Sequence, residues 1–65
     1  MPLIQATILQ GRTQMQKEAF YKGITQVVSE TLNVKPEQVR VIIQEVPTFH
    51  WAVAGVSIAE RDAQP

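Results

Sequence analysis

Three residues carry the chemistry open to this sequence: Pro2, Arg12 and Arg40. The usual catalytic sets are missing, since there is no cysteine, one histidine (His50), no metal-spaced cluster and no glycine motif that cradles phosphate. No metal and no cofactor are therefore expected. Pro2 follows Met1, and its small size permits an aminopeptidase to remove the methionine, which exposes a secondary amine. In apolar surroundings and near cations the charged form of that amine is disfavoured, moving its pKa toward neutrality, where a general base works best. With Met1 attached the nitrogen is a tertiary amide with no usable lone pair. The plainer alternative is that Pro2 only starts a strand, a position proline tolerates. Arg12 and Arg40 each carry a planar guanidinium fork, which suits a carboxylate. A small carboxylate substrate is the partner this points to; an ion pair between subunits, with Glu45 as one candidate for Arg40, is the alternative.

Residues 2–9 (PLIQATIL) are uncharged and alternate, with Ile4, Ala6 and Ile8 on one face and Leu3, Gln5, Thr7 and Leu9 on the other, which predicts a strand. Gly11 breaks it. Thr13 and Gln16 form the T-x-x-Q capping pattern, so a helix is expected from about Thr13. Its apolar stripe reads Phe20, Ile24, Val27, Val28, Thr31 and Leu32, and Gly23 on that stripe predicts a close approach of helix to sheet. Asn33 and Pro36 end the helix near Leu32 or Asn33. After a short PEQ turn, residues 39–46 (VRVIIQEV) alternate again, with Val39, Val41 and Ile43 on one face and Arg40, Ile42, Gln44 and Val46 on the other. Strand, helix and strand of these lengths make a right-handed βαβ unit with parallel strands. Beyond Pro47 the uncharged segment through Trp51 and Val53 suits a hairpin or an arm reaching a neighbour, Ser57-Ile58-Ala59-Glu60 suggests a last helical turn, and residues 63–65 are expected to fray.

The fold class is thus α/β (α+β), one domain over residues 1–65, with no repeat or linker. A 65-residue chain buries only about 60% of its unfolded surface by itself, and without cysteine or a metal cluster self-association is the remaining staple. The sheet face holding Leu3, Leu9, Ile42 and Val46 has no cover within the chain, and parallel sheets are normally buried on both sides. Six basic residues balance six acidic ones with no basic run, which argues against nucleic acid. No apolar stretch approaches the ~20 residues of a membrane span, and there is no basic-then-apolar leader, so a cytoplasmic address without membrane attachment is expected.

Met1-Pro2, the LQGR turn ending in Arg12, the VRVIIQEV strand with Arg40 and the aromatic-rich loop before Gly55 together resemble the 4-oxalocrotonate tautomerase family, over nearly the whole chain without an obvious gap. The resemblance implies a βαβ unit with a C-terminal hairpin, paired into dimers and then a homohexamer, with sites shared between subunits. It implies an isomerase of aromatic catabolism that interconverts 2-hydroxydienoates or enols with 2-oxo acids. Pro2 would be the base that shifts a proton along the substrate, Arg12 would hold the distal carboxylate, and Arg40 would bind the 2-oxygen and adjacent carboxylate as dienolate charge develops. Trp51 falls where the family commonly has Phe and would line the pocket and keep it dry; Ala52 and Ala54 stand where glycines are common, which puts loop shape and specificity in play. A hydratase or dehalogenase-like activity and a non-catalytic oligomeric or ligand-binding protein on the same scaffold remain the alternatives. Nothing in the sequence places Glu45 in a water-activating pattern, and His50 reads as a surface or interface residue more readily than a proton carrier.

Overall fold

The computed structural model describes residues 1–63. Strand β1 (Leu3–Leu9), helix α1 (Gln14–Leu32) and strand β2 (Arg40–Val46) form the expected βαβ unit, and the short strands β3 (Ala52–Val53) and β4 (Val56–Ser57) form a hairpin that leads into helix α2 (Ile58–Ala63). β1 and β2 pair in parallel from Leu3 opposite Arg40 to Leu9 opposite Val46, so the two seven-residue strands start and finish level. The expected fraying at 63–65 is not seen at Ala63, which closes α2; residues 64 and 65 lie outside the described residues.

The local signals act as their chemistry requires. Thr13 caps α1 by accepting the Gln16 N–H at 3.1 Å, while the Gln16 side chain accepts the Thr13 N–H at 3.0 Å, so two otherwise unpaired amides are satisfied reciprocally. Asn33 ends the helix in the left-handed conformation. PEQ forms one 3-10 turn (Pro36–Gln38), and a second, which the sequence did not announce, spans Thr48–His50.

Two expectations for α1 need correction. Its half-buried and buried residues are Lys17, Tyr21, Ile24, Thr25, Val28 and Ser29, whereas Phe20, Val27, Thr31 and Leu32 of the expected stripe are exposed. The reason is width: two strands about 5 Å apart give a helix some 10 Å across a single line of contact, and residues on the flanks of that line have nothing beneath them. Gly23 likewise marks no close approach, for a side chain built there would meet nothing within 4 Å.

The chain packs little of itself. Among the described residues only Val28 and Val39 form a buried apolar core, and no side chain is fully enclosed. The radius of gyration is 15.4 Å, against about 11 Å for a compact chain of this length. Leu3 and Ile42, on the sheet face away from α1, are 52% and 49% exposed. No helix among the described residues is long and apolar enough to cross a membrane.

Candidate active site

The parallel register brings Pro2 and Arg40 together at the start of the sheet. The Pro2 carbonyl accepts the Arg40 backbone N–H at 3.0 Å, extending the ladder one step beyond β1 and leaving the Pro2 nitrogen at its outer end. Pro2 is half-buried, while Met1 before it is 82% exposed. Arg40 projects from the face away from α1, and its guanidinium donates to the Glu37 carbonyl at 2.6 Å. With a longer contact of 3.4 Å to the Val39 carbonyl, this bond holds the arginine head at the 3-10 turn by carbonyl oxygens and not by a carboxylate, so its charge is not neutralised. Glu45 is not its partner: it lies on the opposite, helix-facing side of β2 and pairs with Lys17 of α1. That pair also occupies the Glu45 carboxylate, which removes it as a free base for activating water.

Arg12 stands at the other end. It follows Gly11, which takes φ 127° as the chain turns out of β1, a conformation open to glycine and costly for side-chain-bearing residues. A strand of seven residues places that turn about 23 Å from the start of the sheet. Arg12 borders a cavity of about 540 Å³ between the end of β1 and the C-terminal segment, lined also by Leu9, Thr48, Trp51, Ile58 and Asp62. Trp51 is half-buried there, and its carbonyl accepts the Ile58 N–H at 2.7 Å, which ties the loop to the start of α2. The four candidate residues therefore fall into two pairs, Pro2 with Arg40 and Arg12 with Trp51, at opposite ends of the sheet.

The hairpin beside Trp51 turns through Ala54 at φ 54° and Gly55 at φ 81°, the two positive values that a tight two-residue turn demands. Ala54 holds a conformation that favours glycine, which gives a physical reason for interest in this position. His50 is exposed, stacks edge-on against Phe49 with ring centroids 4.4 Å apart, and does not line the Arg12 cavity. Among the described residues no group of three or more His, Asp or Glu side chains could hold a metal ion. Sequence reading missed Asp62, although its i, i+4 spacing from Ile58 puts both on one helix face and was available as a signal. It also missed the Lys17–Glu45 pair, whose members are separated by 28 residues and carry no local signature.

Comparison with known proteins gives consistent matches. The tautomerase enzyme family model matches residues 2–61. A probable tautomerase of Ralstonia nicotianae is 55% identical over 86% of this chain and 80% of its own, and a 2-hydroxymuconate tautomerase of Pseudomonas putida is 42% identical over 92% and 95%. Among solved structures, a 4-oxalocrotonate tautomerase homologue of the tomaymycin biosynthetic pathway superposes with a TM-score of 0.94 at 44% identity, covering 98% of both chains. A heterohexameric 4-oxalocrotonate tautomerase from Chloroflexus aurantiacus superposes with a TM-score of 0.88 at 40% identity, covering 92% of this chain and 97% of that one.

Proposed function

The chain belongs to the tautomerase family and is an isomerase, and on that premise we propose that it interconverts 2-hydroxydienoates, or enols of 2-oxo acids, with the conjugated ketones, using the Pro2 amine freed of Met1 as general base. The amine takes the proton from the 2-hydroxyl group, a dienolate forms, and the proton returns to carbon at the far end of the conjugated system, so the reaction is balanced without a co-reactant. The observation that supports this reading is the ladder contact between the Pro2 carbonyl and the Arg40 N–H, which sets the two residues on adjacent strand starts, with the Arg40 guanidinium held by a carbonyl oxygen and not by a carboxylate. Arg40 stabilises charge that grows on the 2-oxygen, an interaction stronger in the transition state than in the ground state. Arg12 receives the distal end of the substrate, and Trp51 lines the pocket and excludes water.

With the two pairs about 23 Å apart in one protomer, a complete site joins the Pro2 end of one chain to the Arg12 end of another. The nearly coreless protomer and the exposed face around Leu3 and Ile42 support a homo-oligomer, and the heterohexameric relative supports a hexamer. The Pseudomonas putida relative supports a dienoate substrate, as its name describes an enzyme for 2-hydroxymuconate.

The test compares Met1-removed with Met1-retained protein, identified by intact mass and assembled alike, in turnover of 2-hydroxymuconate. Loss of the general base is expected to lower kcat by a factor of about 10²–10⁴ in the retained form. Equal rates would refute the mechanism, and a stable assembly inactive in both forms would favour the ligand-binding alternative.

A further inference from the structure

The cavity at the Arg12 end contains a second charge that the proposed mechanism does not use. Of the residues lining it, Arg12 and Asp62 alone are charged at neutral pH, one of each sign. Among the described residues the Lys17–Glu45 contact is the one ion pair, so Asp62 faces the cavity without being neutralised by a direct partner. Its position is also held from both sides. The Ile58 N–H binds the Trp51 carbonyl at 2.7 Å, the Glu60 N–H binds Ser57 Oγ at 3.1 Å, and the Arg61 guanidinium binds the Val53 carbonyl at 2.9 Å, so α2 is fastened to the loop and hairpin that carry Trp51.

We infer that Asp62 is a specificity-determining residue that offsets the positive charge of Arg12 and lowers the preference of this pocket for substrates with a second carboxylate. The inference rests on the reading that Arg12 receives the distal end of the substrate. A carboxylate entering the cavity is attracted by the guanidinium and repelled by the Asp62 carboxylate, and both forces follow the same distance law through the same medium. The two formal charges of the lining are opposite, so a distal methyl or hydroxyl group loses less against a distal carboxylate than it would beside an arginine alone. Like-charge juxtaposition is a recognised means of refusing a ligand, distinct from improving contacts to a favoured one.

The probes are trans,trans-muconate and sorbate, two linear dienoates that differ in having a carboxylate or a methyl group at the distal end. Their dissociation constants are measured by calorimetry on the assembled, Met1-removed protein. Asp62→Asn is expected to tighten muconate by about fivefold or more while changing sorbate less than about twofold. Asp62→Ser should act in the same direction, which separates loss of charge from any effect of the amide. Adding Arg12→Gln to Asp62→Asn should bring the muconate-to-sorbate ratio back toward the wild-type value. Equal changes for both ligands, or no change in either, would overturn the inference. Because binding is read and not turnover, a protein inactive on every dienoate but with the expected shift in ratio would reject the proposed reaction and leave the role of Asp62 standing.

Discussion

At the start of the sheet, Pro2 and Arg40 are joined through the backbone, as the last rung of a regular parallel ladder. At its finish, Arg12 and Trp51 come from a glycine turn and a loop, and meet across a cavity that α2 must close. The first end owes its geometry to strand pairing, which fixes positions to within a rung; the second owes it to a few hydrogen bonds that fasten α2 to the loop and hairpin. A proton transfer tolerates little displacement, whereas recognition of a distal charge acts over a longer range. The proposed division, chemistry at the strand-paired end and recognition at the loop-built end, follows this difference.

Substituting Ile42→Glu should erase the comparison altogether, since it puts a charge on the sheet face that lies between the two ends. Burial of an unpaired charge in an assembly costs several kcal/mol, on the order of 3 or more, so sedimentation should show loss of the oligomer and activity should vanish with it. A wild-type protein that sediments as a folded monomer would remove the reason for this expectation.

The substitutions Arg40→Ala and Arg12→Ala sharpen the comparison by acting on one end each. Arg40→Ala is expected to lower kcat by about 10²-fold, because its partner charge grows in the transition state. Arg12→Ala should have the smaller effect, raising KM for a dicarboxylate by about tenfold with kcat less changed, since that carboxylate carries its charge throughout the reaction. Steady-state kinetics that gave both variants the same split between kcat and KM would mean that the ends do not divide the work.

The paired end was also the more legible one. Alternation in residues 2–9 and 39–46, with the Thr13–Gln16 cap and Asn33 between them, determines strand, helix and strand to within a residue or two, whereas the register that sets Pro2 beside Arg40 depends on the pairing itself. The sides of α1 were not legible, because residues such as Phe20 and Val27 follow the helical period but find no sheet below them in one protomer. At the other end, the Thr48–His50 turn, the positive φ of Ala54 and the entry of Asp62 into the Arg12 cavity depend on contacts between segments far apart in sequence. The strand reading of residues 2–9, broken at Gly11, already sets Arg12 a full strand length from Pro2, but no periodicity says that Trp51 lies beside Arg12.

That separation is tested most directly by mixing subunits. Met1-retained protomers lack the base but keep Arg12 and Trp51; Met1-removed Arg12→Ala protomers keep the base and Arg40 but lack the distal arginine. The two are unfolded together, refolded into mixed oligomers and assayed for kcat/KM on 2-hydroxymuconate. If complete sites form between protomers, the mixture should exceed the average of the two parent oligomers, because some sites combine a free Pro2 with an intact Arg12. Activity equal to that average at every mixing ratio would contradict a site shared between the two ends of neighbouring chains.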